Sequence, residues 1–349
     1  MMRWEDPSAD FALVLHPVDA KRDVAHKYPR LARILPGAVI ELLTRFWPPV
    51  VLSRVNGIHS EATGSSIDGW LLACPLTNRQ MAELPPLAVY DRIVRAGRLG
   101  QTRGARILGL GGMGGILADR GVTVAQRLNM PVTTGDSLTV AAAIAVLKGA
   151  AEDRGLSLKD ATAAVVGASG GIGLACAEVL APQVAQLIVV GRREIRVSQA
   201  RAEAEAAGGS RVRMSTEMDA VLKADIIVAA ASGPRPLLKS HHLKPGAIVC
   251  DVARPPNVSS EVEREREDVM LLGGGMLHVP GHADFGIDLG LPAGLAYACM
   301  VEVMVLALEG RYESYSLGRR IQRDKVGEIG ELARKHGFRV SPRVSRRIG

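Results

Sequence analysis

Over the second half of the chain, apolar positions come in short unbroken runs separated by stretches with helical character. Residues 162–166, 187–190, 225–230, 247–252 and 269–272 each read as a strand that is apolar on both sides. That is the pattern of a parallel sheet covered by helices on either face. Residues 174–180 and 198–207 are the helical stretches between them. Ahead of this array an Ala-rich segment, 137–154, reads as one long helix, with Asp136 or Ser137 as its cap and Gly155 as its stop. Behind it comes a Gly-rich, weakly patterned stretch, 273–290. Pro292 then stands where a first helical turn tolerates proline, and a helical run continues to Glu309, stopped by Gly310. A basic helix and tail occupy 319–347. Within the first 130 residues, 11–15 and 106–110 read as strands.

These elements predict an α/β protein. A doubly wound Rossmann-type parallel sheet domain is joined to an N-terminal α/β domain, and a C-terminal helical segment packs back on the latter. The expected divisions are 1–135 for substrate and catalysis, 136–155 as a connecting helix, 156–275 for a dinucleotide, and 276–349 as the helical segment. A length of 349 residues fits two domains of roughly 150. Cys74, Cys176, Cys250 and Cys299 form no CxxC pair, which argues against a thiolate metal site. The first ten residues lack an apolar core, and no run approaches the roughly 18 residues that span a bilayer, so a cytoplasmic setting is expected. Aromatic residues are 3% of the chain, too few for a reader that stacks bases, so no nucleic-acid partner is expected. A net charge of +7 favours a phosphate-bearing cofactor or an acidic macromolecule.

The sharpest local signal is Gly167-Ala168-Ser169-Gly170-Gly171-Ile172-Gly173, directly after a strand and leading into a helix. In that context the first glycine allows the tight turn, the second lets backbone approach a pyrophosphate, and the third lets helix and strand pack closely. The helix N-terminus then faces the anion. About 20 residues on, where an NAD site carries an acid for the ribose hydroxyls, the chain has Arg192 and Arg193. Two guanidinium groups suit a 2′-phosphate, so the expected cofactor is NADPH. Ser169 can add a hydroxyl contact. Glu194 would oppose a phosphate if it pointed inward, and a solvated strand end explains the arginines as well.

Other chemistry-bearing residues each have a plainer reading. Cys299 lies inside the helical run after Pro292, where packing is the usual role of cysteine. Cys74, Cys176 and Cys250 look still more like packing. His278 and His282 flank a Gly/Pro segment at the expected carboxyl edge of the sheet and could exchange protons. A metal site from His278, His282 and Asp284 is disfavoured, because the intervening Pro and Gly spoil the helical spacing. Thr133-Thr134-Gly135-Asp136-Ser137 could hold a carbonyl or anion at a helix start, or simply cap it. The cluster from Leu108 through Gly111 and Gly112 to Gly115 could let backbone approach a substrate, or be a turn.

Taken in order, several pieces resemble one family. They are Phe11-Ala12-Leu13-Val14-Leu15-His16-Pro17, Leu110-Gly111-Gly112, Thr133-Thr134-Gly135, the glycine loop, Gly273-Gly274-Gly275 with His278, Ala298-Cys299 with Glu302 and Leu308-Glu309-Gly310, and Arg334-Lys335-His336-Gly337-Phe338. The set resembles the long-chain acyl-[acyl-carrier-protein] reductases known mainly from cyanobacteria, best over about 105 to 340. The resemblance implies reduction of fatty acyl-ACP, and less readily acyl-CoA, to the fatty aldehyde with NADPH. It implies a cysteine nucleophile, which falls on Cys299, and an aldehyde-consuming oxygenase as a partner. His278 would then stabilise the oxyanion or donate a proton, and Gly111, Gly112, Thr134 and Gly135 would lie near the substrate. Basic clusters at Lys21, Arg22, Lys27, Arg30 and Arg33, and at Arg319, Arg320, Arg323 and Lys325, would meet an acidic carrier, or form a solvated face. Two other readings stay open: a non-covalent NADP-dependent dehydrogenase of shikimate-dehydrogenase-like architecture, and a non-enzymatic NADP(H)-sensing regulator.

Overall fold

A computed structural model of the chain describes residues 8–341 apart from 18, 26, 113–116, 118 and 234. Gly114 and Gly115 of the second glycine cluster, and the tail beyond 341, lie outside the described residues. The chain forms two compact units. One holds the residues through Gly135 with His278–Gly318 and Glu331–Arg339. The other holds Asp136–Leu277, Arg319–Gly330 and the residues from Val340.

The first unit begins with β1 (Phe11–Leu15), followed by a helical insert of α1 (Ala20–Ala25), α2 (Pro29–Ile34) and α3 (Gly37–Thr44). Then come β2 (Val50–His59), β3 (Ser66–Ala73), α4 (Asn78–Glu83), α5 (Pro86–Thr102), β4 (Leu108–Leu110), α6 (Val122–Gln126) and β5 (Val132–Thr133). Strands β3, β1, β4 and β5 run parallel, and β2 pairs antiparallel with β3 at the other side. Ala12 and Val14 of β1 pack with Ile93 and Val94 of α5 in one apolar cluster.

The second unit opens with α7 (Asp136–Asp153) and continues with β6 (Thr162–Val166), α8 (Gly171–Leu180), β7 (Gln186–Val190), α9 (Glu194–Ala206), β8 (Val212–Ser215), β9 (Ile226–Ala229), β10 (Ile248–Asp251), α10 (Ser260–Glu265) and β11 (Met270–Gly273). Its sheet is parallel throughout, in the order β11-β10-β9-β6-β7-β8. This is the doubly wound Rossmann arrangement, with β6 at the centre and the order reversing between β6 and β9. Alternate residues of β6 serve the two faces. Ala163 and Val165 pack with Cys176 and Ala177 on one face, and Ala164 and Val166 with Val221 and Leu243 on the other.

The chain then returns to the first unit at His278. β12 (Met276–His278) and β13 (Gly281–Asp284) occupy the stretch expected to be weakly structured, and β13 pairs antiparallel with β2. β14 (Leu295–Tyr297) leads into α11 (Ala298–Leu308), which packs on β1, β3 and β4. The helix therefore begins at Ala298, not at Pro292. Gly294 has φ +73°, which no right-handed helix admits, and Tyr297 is extended as the N-cap.

Candidate functional site

The glycine loop closes the carboxyl end of β6 at the point of strand reversal. Gly167 has φ +84°, and a Cβ there would lie 2.6 Å from both N and Cα of Ala231. Ala231 cannot yield, because the fully buried Asn257 accepts its N–H at 2.8 Å and donates to its carbonyl at 3.0 Å. The N–H groups of Gly167 and Ala168 donate to Val190 O at 2.8 and 3.2 Å, which pins the loop to β7. Gly170 is the N-cap of α8, so the N–H groups of Gly171, Ile172 and Gly173 in its first turn have no helical acceptor. Ser169 and Gly170 are exposed beside them. A side chain at Gly173 would strike the Gly167 carbonyl, so helix and loop touch backbone to backbone. At the end of β7, Arg192 and Arg193 are exposed, and neither guanidinium has a protein partner among the described residues. Glu194 occupies the first turn of α9, where the helix dipole favours a carboxylate. Free N–H groups at a helix start with two unpaired guanidinium groups nearby fit the pyrophosphate and 2′-phosphate of NADPH.

The first unit gathers a second set at the carboxyl ends of its parallel strands. His16 follows β1, Gly111-Gly112 follow β4, and Thr134-Gly135 follow β5. Cys299 is the second residue of α11 and lies against this last turn. A Cβ on Gly135 (φ +79°) would lie 2.5 Å from Cys299 O and 2.7 Å from Cys299 C. Only a residue without a side chain lets the two backbones meet there. The Gly111 Cβ position is 3.6 Å from Met300 Cγ, and that of Gly112 is 3.3 Å from His16 Cε1, so these glycines lie between the start of α11 and the His16 ring. The β5 turn is held from behind. Thr133 Oγ1 donates to the carboxylate of Glu302, which is fully buried one turn after Cys299. Thr134 Oγ1 donates to Ser316 O at 2.6 Å, and Tyr315 bridges Thr133.

Electrostatics separates the four thiols, none of which is in a disulfide. Cys299 is partly exposed while the others are buried. Burial pushes the Cys74 thiol up to about 11 and that of Cys176 to about 12, and Cys250 is raised as well. Burial also lowers the pKa of His16, an effect the Asn78 side chain partly offsets. Its Nδ1 is buried and has no partner among the described residues.

Residues 149–272 match the sequence family described as shikimate/quinate 5-dehydrogenase. The aminotransferase PigE of a Serratia species is 30% identical over 290 residues, which cover 82% of this chain and 34% of PigE. The long-chain acyl-[acyl-carrier-protein] reductase of Synechococcus elongatus is 28% identical over 311 residues, covering 84% of this chain and 89% of that protein. The chain thus spans about a third of the length of PigE and most of the reductase. Among solved structures, glutamyl-tRNA reductase from Methanopyrus kandleri shares 21% identity over 74% of this chain and 53% of its own, with a TM-score of 0.31.

The chain is thus similar over most of its length to a reductase, and its nucleotide unit carries the sequence pattern of a dehydrogenase family.

The cofactor its nucleotide unit fits is NADPH. Three further residues singled out in the sequence, His278, His282 and Asp284, lie on β12 and β13. His278 is exposed at the end of β12, and its ring has no hydrogen bond or ion pair among the described residues. The next residue, Val279, donates to Gly294 O at 2.8 Å. His282 and Asp284 are on β13 and are exposed. Among the described residues, the donors grouped closely enough for a cation are Asp219, His241 and His242. His242 Nδ1 accepts the Lys239 N–H at 3.1 Å, which leaves the ring proton on Nε2, 3.8 Å from Asp219. That nitrogen presents an N–H where a metal needs a lone pair. Asn257 carries weight that its sequence context did not announce, whereas Glu302 already stands beside Cys299 in the sequence pattern. Asn257 clamps the strand end behind Gly167, and Glu302 clamps the turn beside Cys299. His16 had a signal in its place after a buried strand and in the first of the ordered pieces of the resemblance.

No helix among the described residues is long and apolar enough to cross a membrane.

Proposed function

We propose that the protein is an NAD(P)-dependent oxidoreductase that converts an acyl thioester, carried on acyl carrier protein or coenzyme A, to the aldehyde through an acyl-Cys299 intermediate. The observation that carries this reading is the partly exposed Cys299 in the first turn of α11, its backbone seated on Gly135 of the β5 turn. The N–H groups at that helix start favour negative charge on the sulfur. The sulfur attacks the carbonyl carbon, the bond from that carbon to the carrier sulfur breaks, and the carrier thiol leaves with a proton. The acyl group is then a thioester of Cys299, which remains a good hydride acceptor. NADPH, when bound, supplies the hydride that reduces this carbon by two electrons. The developing oxyanion takes a proton. When the carbon–sulfur bond breaks, the hydroxyl proton returns to Cys299 and the aldehyde departs. His16, whose ring lies against the Gly112 turn and whose Nδ1 has no partner among the described residues, serves the proton exchange in this reading, in preference to the exposed His278. Thr133 and Glu302 hold the turn that positions Cys299.

The match of residues 149–272 to the shikimate/quinate 5-dehydrogenase family favours a second reading, direct hydride transfer without an acyl-enzyme. Intact-mass analysis separates the two. Incubation with acyl-ACP or acyl-CoA in the absence of NADPH is expected to give one acyl adduct on Cys299, discharged as aldehyde when NADPH is added. Cys299→Ala is expected to bind NADPH and form no adduct. Aldehyde production by Cys299→Ala would exclude the covalent route.

A further inference from the structure

The insert between β1 and β2 has a small core of its own, Ala20, Ala32 and Ile40 backed by Val24, Ala25 and Leu35. On α3 the buried positions are Ile40 and Thr44. Val39, Leu42 and Leu43 stand at i, i+3 and i+4 on α3, the spacing of an amphipathic stripe, and Phe46 follows in the turn just past its end. All four are exposed, Phe46 at 70% and Leu42 at 59%. Ile34, at the end of α2, is 77% exposed. The insert therefore carries its apolar stripe on the water side. Of the nine large apolar side chains exposed among the described residues, six lie between Tyr28 and Phe46. Single exposed apolar residues are ordinary, whereas a group of this kind marks a contact surface. The surrounding charge is positive. Arg30, Arg33 and Arg45 are exposed, and none of their guanidinium groups has a partner among the described residues. Glu41, the acid on α3, is held by Arg79 at 2.7 Å.

We infer that this insert docks on an anionic phospholipid surface, with Ile34, Leu42 and Phe46 entering the headgroup–acyl boundary and the arginines lying among the phosphates. A soluble acidic protein would satisfy the arginines and leave the protruding stripe against polar groups. A second copy of the chain would bring the same positive charge against itself. The inference is independent of the thioester chemistry.

Flotation of the full-length protein, without substrate, tests it. Vesicles of phosphatidylcholine alone are compared with vesicles of equal parts phosphatidylcholine and phosphatidylglycerol. The protein is expected to float with the anionic vesicles only. Arg30→Ala with Arg33→Ala should lower the partition about 25-fold, at about five-fold for each cation. Phe46→Ser and Ile34→Ser should each lower it about ten-fold. These positions are exposed, so the melting temperature should not change, and Cys299→Ala should float like the parent. The inference is overturned if the parent stays in the soluble fraction with anionic vesicles, or if the arginine and apolar variants float undiminished. It is equally overturned if the apolar variants convert a dimer to monomer, or if the variants raise the KM for acyl-ACP with no vesicle binding to lose.

Discussion

Gly135→Ala puts the contact between the β5 turn and Cys299 to a direct test. The added Cβ would lie 2.5 Å from Cys299 O and 2.7 Å from Cys299 C, where carbon–carbon contacts normally begin near about 3.5 Å. Two costs arise. A φ of +79° disfavours alanine by about 1–2 kcal/mol. The overlap with backbone, which cannot rotate away as a side-chain tip would, adds about 1–3 kcal/mol of overpacking and must move the start of α11. Gly64→Ala separates the two costs, since Gly64 has φ +69° and no atom within 4 Å of its Cβ position. Rapid-quench intact-mass measurement of acylation by acyl-ACP should show Gly135→Ala slowed by about 100-fold, the effect of a roughly 1 Å misplacement of a reacting group. Gly64→Ala should acylate at the parental rate. NADPH affinity, read by fluorescence, should be unchanged in both, because the glycine loop belongs to the other unit. A Gly135→Ala protein that is less stable yet acylates at the parental rate would show that the turn only packs against α11. The role assigned to it would then be wrong.

Three further outcomes are expected. Arg192→Ala with Arg193→Ala should raise the Kd for NADPH at least ten-fold by removing charge-assisted bonds to the 2′-phosphate, and should leave that for NADH nearly unchanged; isothermal titration with both nucleotides checks this. Iodoacetamide near neutral pH should modify Cys299 alone, because the other thiols are buried and, at about 11 or above, almost wholly protonated; peptide mapping would refute this by finding Cys74 or Cys176 labelled first. The folded-state pKa of His16 lies below its ordinary 6.5, so as pH falls the unfolded chain takes up the proton first. The stability this group contributes is present above about 6.5 and is lost as pH falls through the depressed folded value. His16→Gln should flatten the decline of Tm between about pH 7 and pH 5, the remaining slope including His242, which burial lowers likewise.

The nucleotide unit was largely legible because its strands are hidden on both faces. Runs such as Ala163-Ala164-Val165-Val166 carry that signal without help from partners. β8 escaped notice because it is the edge strand, with Arg213 exposed and no residue fully buried. The first unit was less legible. β2 is interrupted by register shifts near Ser53 and between Val55 and Ile58, which break the two-residue alternation that marks a strand. The unit is also discontinuous, since the β5 turn and α11 meet across more than 160 residues of sequence, a separation no local pattern encodes.

The position of Cys299 within its helix shows how a small boundary error changes the chemistry inferred. With Pro292 as the first helical residue, Cys299 would lie in the second turn, its neighbouring N–H groups bonded to carbonyls of the turn before, and burial would be the natural role for the side chain. Gly294 at φ +73° and the extended strand Leu295–Tyr297 prevent that helix from forming and move its start to Ala298. Cys299 then belongs to the first turn, where the amides have no helical acceptor and favour negative charge. The same displacement brings Glu302 to the level of Thr133, so that a buried carboxylate fixes the β5 turn while Gly135 leaves room for the cysteine backbone. The residue type was visible in the sequence. The reactivity proposed for it depends on where the helix begins, and the backbone of a glycine five residues upstream keeps that start from lying at Pro292.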